Sequence, residues 1–427
     1  MLKLSIAGSL AALATCLPAQ AEDPNLYVFA DIKDGQLGLI NTETDQILQV
    51  DAASLPGWPG NGVVFKQHAW ATPDGKTIYM SIDATPPSPA GIVVFKVNDL
   101  DWDGGVADVE IEKSIIVDPP GSPSNFPDVS ETDSDQPIMG WTFADYTQIH
   151  GPAFRPNTTF AYATIWTDDR VVVFDTETNE MVPGAPFSYG WFSAQTHGMA
   201  FNPSGTRALG AGYFYDLSSL DLYSFLPGNP FPYPAASIPL KRGKKLGAFT
   251  HYTVWIDDRF AYTATMQFGE TSLTPNGRKV SPPALWLVDT KRRKAKRVSG
   301  TSKDADDPGV LRSASDVNIA NGKLYVAEED TLDGTFGDDG FVSIFDISDP
   351  ENPVFLKRLK PGGELPADFA IAHGISVTPD ERFVYVASYF SSYIVKIDTE
   401  TDTVAKVFGP SDGLNVPHGG FVAGSFR

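Results

Sequence analysis

The six histidines of this chain are the residues whose type and spacing could carry out chemistry. Each stands at the start of a short apolar segment, and Asp316 holds the corresponding place in one further segment. The histidines are His68, His150, His197, His251, His373 and His418. Imidazole nitrogens without thiolates suit Cu, Zn, Fe or Ni. Six histidines and one aspartate exceed the needs of one tetrahedral ion. The pattern therefore predicts either two metal ions or one ion beside a general base.

The segments that contain these residues predict β-strands in a repeating order. A phrase of apolar residues, then Asp or Asn, then Thr recurs at 37–42, 171–176, 285–290 and 393–399. A turn resembling Pro-Asp-Gly, as at residues 73–75, precedes several of these phrases. Strand, turn, strand, loop, strand, turn, strand makes one four-stranded propeller blade. No helical period of useful length is present, so the chain is predicted to be all-β.

Counting the innermost strands by these seven residues predicts a seven-bladed β-propeller over residues 22–427. His418 lies too near the C-terminus for three more strands to follow it, and residues 25–50 can supply them. The N- and C-terminal strands are therefore expected to pair and close the propeller, which removes a free sheet edge. Innermost strands line the central channel of a propeller. The seven side chains are thus expected to converge at one mouth of that channel.

The spacing leaves the direction of two histidines open. His150, His197 and His373 each precede the proline of the following turn by six residues, whereas His68 precedes its proline by five. His251 is likewise one residue nearer its turn. A one-residue slip can reverse a side chain, so the sequence does not decide whether His68 and His251 point into the channel. A duplicated structural turn is the alternative explanation of the whole pattern.

Residues 1–21 have the features of a secretory signal peptide. Lys3 supplies a basic start, an apolar run covers 4–17, and Ala19-Gln20-Ala21 forms a cleavage site. The chain is therefore expected to be periplasmic or secreted, and no other stretch is long enough to span a bilayer. The single cysteine, Cys16, lies inside this segment. Lipidation at Cys16 is an alternative that Thr15, directly before it, disfavours. Cleavage after Ala21 would exclude thiolate catalysis, Fe–S clusters and c-type haem.

The charge of the chain points away from nucleic acid and towards cations. It has 53 acidic and 32 basic residues, with a formal net charge of -21, which would repel a phosphate backbone. Asp99, Asp101, Asp103 and Glu110, with Gly104, match the spacing of a calcium-binding loop. Oxygen ligands at these positions and glycine at the bend suit Ca²⁺. An acidic hairpin between two strands is the alternative.

The repeats resemble two kinds of propeller sequence. Residues 373–388 and 394–401 resemble YVTN-type seven-bladed propellers, and residues 340–353 resemble an LVIVD-type repeat. This resemblance covers nearly the whole mature chain. It implies the fold but not the function, because such propellers host many activities.

A more distant similarity is to three propellers lined with histidine that bind metals. They are nitrous oxide reductase, copper-dependent methanethiol oxidases of the selenium-binding type, and a periplasmic zinc chaperone. The paired His motifs and cupredoxin domain of the first are absent here. So are the Cys- and His-rich signatures of the second and the His-rich N-terminal segment of the third.

These observations predict a metal-dependent oxidoreductase of small molecules that binds Cu or Zn through histidines at the channel mouth. The expected ligands are His150, His197, His373 and His418, with His68, His251 and Asp316 completing the shell or acting as base. Tyr252 and Trp255 are candidates for the wall of the pocket, although Trp255 is also typical of core packing. One alternative is a non-catalytic metallochaperone whose partner is a metal-accepting protein. Another is a lactonase-like hydrolase with one cation and an open position for water.

Overall fold

The computed structural model describes most of the chain after the predicted signal peptide. The described residues are 25–31, 35–59, 64–84, 89–118, 149–165, 170–188, 196–212, 219–242, 245–246, 249–266, 283–299, 311–329, 339–388 and 391–424. Over these residues the protein is all-β, and its helical segments are two short 3₁₀ turns, Ala52–Ser54 and Pro410–Asp412. None of the described helical segments has the length and apolar character needed to cross a membrane. Residues 1–21 lie outside the described part of the chain.

The strands follow one another along the whole described chain. The first fifteen are β1 (Leu26–Asp31), β2 (Gln36–Asn41), β3 (Ile47–Asp51), β4 (Val64–Ala71), β5 (Thr77–Ala84), β6 (Ala90–Asp101), β7 (Val106–Asp118), β8 (Ile149–Phe154), β9 (Phe160–Ile165), β10 (Arg170–Asp175), β11 (Glu180–Met181), β12 (Phe187–Ser188), β13 (Thr196–Phe201), β14 (Arg207–Gly212) and β15 (Ser219–Ser224). The next sixteen are β16 (Tyr233–Pro239), β17 (Lys241–Arg242), β18 (Lys245–Leu246), β19 (Phe249–Trp255), β20 (Phe260–Met266), β21 (Leu285–Asp289), β22 (Lys294–Arg297), β23 (Ala314–Ala320), β24 (Lys323–Glu328), β25 (Phe341–Asp346), β26 (Val354–Leu359), β27 (Ala372–Val377), β28 (Phe383–Ser388), β29 (Ile394–Asp398), β30 (Thr403–Phe408) and β31 (Pro417–Val422).

These strands form a propeller-like arrangement of five blades and one larger sheet. The blades are β8–β11, β13–β16, β19–β22, β23–β26 and β27–β30, each an antiparallel meander in chain order. Short β12 also pairs with β10, and β17 and β18 form a separate hairpin. The remaining eight strands form one sheet in the order β3-β2-β1-β31-β4-β5-β6-β7. In place of the seven separate blades that the sequence predicts, the structure thus has five blades and this eight-stranded sheet.

The two ends of the described chain meet inside the eight-stranded sheet. Strand β1 pairs antiparallel with β31, so that Tyr27 stands opposite Val422. This pairing confirms the predicted closure by N- and C-terminal strands. Strand β31 also touches β4 in parallel, through the single pair Gly420 and Ala69. That one bridge joins the two halves of the sheet.

Seven strands stand side by side at the inner edge of the sheets. They contact one another in the order β4, β8, β13, β19, β23, β27 and β31, and β31 contacts β4 in turn. The apolar core lies between successive sheets rather than within one of them. Val254 and Leu285 of one sheet, for example, pack with Val317 and Leu324 of the next. Each sheet therefore depends on its neighbour to bury its apolar face.

Buried tyrosines tie neighbouring sheets together at their outer turns. A tyrosine on the second strand of a sheet donates its hydroxyl hydrogen to the outer hairpin of the following sheet. The pairs are Tyr79 with Asn179 Oδ1 (2.7 Å), Tyr162 with the Pro230 carbonyl (2.5 Å), Tyr262 with the Pro350 carbonyl (2.7 Å) and Tyr325 with Asp402 Oδ1 (2.8 Å). The tyrosine common to these repeats thus has a structural role, because a buried hydroxyl needs a partner.

A buried lysine makes the corresponding tie between the last blade and the N-terminal hairpin. Lys396 Nζ donates to the Thr42 carbonyl at 2.8 Å and to Asp45 Oδ1 at 2.6 Å. The Lys396 side chain is 5% exposed, so its charge depends on these two acceptors.

Replacing Lys396 by Met should therefore weaken the closure of the fold. Loss of a buried charged donor leaves two acceptors unpaired, and we expect the free energy of unfolding to fall by about 1–3 kcal/mol. Chemical denaturation measures the change. Lys360→Met, at an exposed lysine beyond β26, is the matched control and should be neutral. Equal stability of the two variants would contradict the tie.

Candidate metal centre

The six histidine rings form a closed circle at the inner edge of the sheets. Each neighbouring pair of ring centroids is less than 5 Å apart. The distances are 4.8 Å for His68–His150, 3.8 Å for His150–His197, 3.7 Å for His197–His251, 4.6 Å for His251–His373, 4.6 Å for His373–His418 and 4.7 Å for His418–His68. Asp316 is in hydrogen-bond contact with His251. We call these seven side chains the histidine ring; each comes from a different inner strand.

A β-bulge positions the side chain on each inner strand. The ladder to the neighbouring strand gains one extra residue at or directly beside the ring residue in all seven. The shifts lie between Lys66 and Ala69, His150 and Ala153, Thr196 and Met199, Thr250 and Thr253, Ala314 and Val317, His373 and Ile375, and opposite Phe29 and Ala30 in β31. Bulges bend a strand and redirect a side chain. This shared bulge explains how strands of unequal length aim their residues at one point.

The positions of the imidazole rings show the direction of the two histidines that the sequence left open. His68 lies between His150 and His418, and His251 lies between His197 and His373. The slip by one residue towards the turn therefore does not reverse either side chain.

Two of the glycines that follow histidines allow the inner strands to come close. Gly374 has a φ of +67° and Gly419 a φ of +46°, which favour glycine. A Cβ added at Gly374 would lie 2.8 Å from Gly419 Cα, and one at Gly419 would overlap the His68 ring. The His-Gly pairs at these positions thus serve the packing of the ring itself.

The histidine ring is enclosed by protein. Its members range from 0% exposed at His68 to 5% exposed at His373, so they do not stand at an open mouth as the sequence predicts. Burial, reinforced by neighbouring histidines, lowers the pKa of His68, His150, His197 and His418 well below 6.5. Burial also lowers the pKa of His251, against the opposing effect of Asp316. These five imidazoles are therefore neutral at pH 7, the form that binds metals.

Asp316 holds His251 in place. Asp316 Oδ1 lies 2.8 Å from His251 Nδ1, and Oδ2 accepts a hydrogen bond from the Gly374 amide at 2.6 Å. Burial alone would raise the pKa of the Asp316 carboxyl, but His251, His373 and the amide of Gly374 together lower it to about 2. The aspartate is thus a carboxylate at neutral pH, able to orient His251 or to bind a cation.

Glu329 is a functional candidate that the sequence analysis missed. Its Oε1 lies 2.9 Å from His373 Nδ1. Burial would lower the pKa of His373, but Glu329 and Asp316 together raise it. A carboxylate on Nδ1 fixes the ring orientation and leaves Nε2 to bind metal. The signal in the sequence was a pair of glutamates, Glu328 and Glu329, at the end of a buried strand.

Two overlapping groups of side chains have the geometry of metal ligands. They are His68, His373 and His418, and His251, Asp316 and His373. Within each group the candidate ligand atoms lie within 4.8 Å of one another. Bonds of about 2.0–2.1 Å to one ion would bring these atoms closer together than that limit. His373 belongs to both groups.

The nitrogens of His68 support this fit. Both are buried and have no hydrogen-bond partner within the part of the chain that the structure describes. An unpaired buried polar atom costs about 1–3 kcal/mol, which coordination would relieve. The residues present therefore fit a metal ion held by imidazoles.

Of the two aromatic candidates, Trp255 belongs to the apolar core and Tyr252 lies beside the histidine ring. Trp255 packs in the core with Trp286 and Leu209, and its Nε1 donates to the Ala200 carbonyl at 2.9 Å. Tyr252 lies beside His251, with ring centroids 5.0 Å apart.

The predicted calcium loop forms the β6–β7 hairpin. Glu110 pairs with Lys96 at 3.0 Å, and Asp101 Oδ1 accepts from the Gly104 amide at 2.8 Å. Among the described residues, Asp99, Asp101, Asp103 and Glu110 are not one of the groups whose ligand atoms lie within 4.8 Å. Calcium binding here stays a prediction.

Comparisons with known proteins bear on the fold alone. No model of a known protein family matches the sequence, and no curated protein matches it. A hypothetical selenium-binding protein from Sulfolobus tokodaii is similar in structure, with a TM-score of 0.59, 11% identity and 95% of each chain covered. So is a protein from Bacteroides uniformis assigned provisionally as a 6-phosphogluconolactonase, with a TM-score of 0.56, 14% identity, and 93% of this chain and 99% of that one covered. A protein of unknown function from Desulfotomaculum acetoxidans has a TM-score of 0.58, 12% identity, and 93% and 98% coverage.

The lowered histidine pKa values predict how stability depends on pH. In the metal-free protein the unfolded chain binds protons below about pH 6.5, whereas the five buried imidazoles do not. Their contribution is present above pH 6.5 and is lost as the pH falls, and His373 is the one histidine of the six that opposes this trend. We expect the Tm of chelator-treated protein to fall steadily from pH 7.5 to pH 5.

The variant His68→Gln removes one buried imidazole and should flatten that dependence. A Tm that rises as the pH falls, or a slope unchanged in the variant, would contradict the assignment of neutral histidines.

Proposed function

We propose that this protein binds a transition metal of the Cu or Zn class in the histidine ring and is a metal-dependent oxidoreductase acting on small molecules. The observation that carries the proposal is the closed circle of six buried imidazoles, with neighbouring centroids 3.7–4.8 Å apart. A ring of neutral nitrogen donors with carboxylates beside it matches the preferences of these ions. The metal, when bound, supplies Lewis acidity and, for Cu, electron transfer.

The number of donors favours a centre with more than one ion or with one ion beside a base. The two candidate groups share His373, whereas His150 and His197 belong to neither. The His150 and His197 rings lie 3.8 Å apart on the side of the circle opposite His373 and His418. A second ion or a bound substrate on that side of the circle would lie next to these two rings. Glu329 and Asp316 orient the two histidines that they contact.

Burial favours a resident metal over a transferable one. A metallochaperone must present its ion to the accepting protein, whereas every member of this ring is at most 5% exposed. The lactonase-like alternative shares its fold with a structural neighbour assigned provisionally as a lactonase, at 14% identity. That level of similarity concerns the fold alone, so it gives the alternative no ligand or substrate.

We also propose that the fold is a complete seven-bladed propeller. Two observations support it: the seven inner strands contact one another in a circle, and the eight-stranded sheet divides into two four-stranded halves at the single Gly420–Ala69 bridge. In this interpretation β31, β1, β2 and β3 form the blade that both chain ends close.

Export to the periplasm or the medium is likewise part of the proposal. It rests on the signal-peptide features of residues 1–21. N-terminal sequencing of protein recovered from its host should begin at Glu22 if the cleavage site is right.

Removal of the shared ligand should empty the centre. We expect the wild-type protein to retain at least one Cu or Zn ion per chain after dialysis, measured by elemental analysis. His373→Gln removes the imidazole common to both candidate groups. Metal affinity should then fall at least tenfold, because an amide is a poor ligand for these ions.

The control for this variant is Ser315→Ala. It removes a hydrogen bond from Ser315 Oγ to the Ala372 carbonyl, next to both Asp316 and His373, but no candidate ligand. Its metal content should equal that of the wild type. Equal metal affinity in His373→Gln and the wild type, or no retained Cu or Zn in the wild type, would overturn the proposal.

Turnover separates the candidate functions. Oxygen uptake with a panel of small thiols and phenols should require the Cu-loaded protein and be absent from the chelator-treated one. Hydrolysis of a lactone panel by the Zn-loaded protein would favour the hydrolase instead. Rapid loss of the ion to a mild chelator, with neither activity, would favour the metallochaperone.

A further inference from the structure

Tyr252 lies against the histidine ring from within the bulge of β19. It follows His251 directly, and the ladder to β20 shifts between Thr250 and Thr253. Its ring stands edge-on to three histidines, with centroid distances of 5.0 Å to His251, 6.0 Å to His197 and 6.5 Å to His68. His68 and His251 are on opposite sides of the circle of six. The phenol therefore reaches across one face of the ring rather than standing beside one member.

The glycine after His197 makes room for this phenol. A Cβ added at Gly198 would lie 2.7 Å from Tyr252 Cε1 and 3.0 Å from the His251 carbonyl oxygen. Any side chain at this position would therefore displace the phenol from the face of the ring. The absence of a side chain at Gly198, after His197, thus leaves the space that Tyr252, after His251, occupies.

The hydroxyl of Tyr252 is buried and has no hydrogen-bond partner in the part of the chain that the structure describes. Its oxygen makes no hydrogen bond within the described residues, although the side chain as a whole is half-buried. The second-strand tyrosines Tyr79 and Tyr162, in contrast, bond to the neighbouring sheet. A phenol has an ordinary pKa of about 10 and carries its hydrogen at neutral pH. The group is therefore a donor without an acceptor among the described residues.

We propose that the Tyr252 hydroxyl donates a hydrogen bond to a small molecule bound at the metal of the histidine ring. The ligand class is a small molecule or anion that offers an oxygen or nitrogen acceptor next to its metal-bound atom. This inference rests on the proposed function, because it requires an ion in the ring. It makes Tyr252 the residue that orients the substrate on one face of the ring.

The test uses azide as the probe on Cu²⁺-loaded protein. Binding of azide to Cu²⁺ produces a charge-transfer absorption band that can be titrated. Tyr252→Phe removes only the hydroxyl, so copper stoichiometry should be unchanged while azide binds about tenfold more weakly, the effect of one lost hydrogen bond. The Tm of the metal-free variant should not fall, because no protein partner is lost.

Tyr385→Phe is the matched control. The Tyr385 hydroxyl is also buried and without a partner among the described residues, but its ring stacks on Tyr27 at 4.7 Å in a core cluster with Phe29 and Ile394. Its removal should leave azide affinity at the wild-type value.

The possible failures are distinguishable. If the wild-type protein binds neither Cu²⁺ nor Zn²⁺, both the proposed function and this inference fail, whereas binding of Zn²⁺ without Cu²⁺ overturns this inference alone. If it binds Cu²⁺ but the wild type, Tyr252→Phe and Tyr385→Phe bind azide equally, or none binds it, only the role of Tyr252 is overturned. Loss of copper from Tyr252→Phe would also overturn it, since the phenol would then be a ligand or a structural support.

Discussion

The constraint on which this structure depends is the burial of six imidazoles packed in one circle. Two imidazolium ions about 4–5 Å apart would repel strongly in a buried site. The ring can therefore be assembled only if most of its members are neutral, and burial lowers the pKa of five of them accordingly. A neutral imidazole also has one nitrogen that carries no proton, so it can bind a metal without first being deprotonated. The neutral form that allows the imidazoles to pack together is thus also the form that binds a metal.

The fold brings the imidazoles together by repeating one inner strand. The chemistry of the ring depends on the few residues that differ from this repeat. Every inner strand carries the same bulge, which delivers one side chain to the circle. Asp316 replaces histidine on one strand and contacts His251. Glu329 lies outside the repeat and contacts His373. The two carboxylates give neighbouring histidines fixed orientations, so the circle has a side with defined acid–base properties. Tyr252 adds a hydroxyl to one face of the same circle.

Much of this arrangement could be predicted from the sequence because duplication leaves a periodic record. The histidine spacing indicated the inner strands, and the position of His418 indicated closure by both chain ends. The direction of His68 could not be predicted, since His68 lies within the bulge itself, where the alternation of a regular strand does not hold. Glu329 was missed because it has no counterpart in the other repeats. The burial of the ring was missed because it depends on how neighbouring blades pack. The spacing of residues along one strand does not indicate that packing. The spacing of acidic residues from Asp99 to Glu110 matches a calcium-binding loop, but spacing does not show what each side chain contacts. In the folded hairpin Glu110 forms an ion pair with Lys96.

X-ray absorption at the metal K-edge tests the central claim most directly. Protein isolated from its own host, or loaded with Cu or Zn, should show a first shell of nitrogen at about 2.0 Å. The multiple scattering typical of several imidazoles should accompany that shell. A first shell of oxygen alone, or a spectrum without imidazole scattering, would contradict the account, because it would place the ion outside the histidine ring.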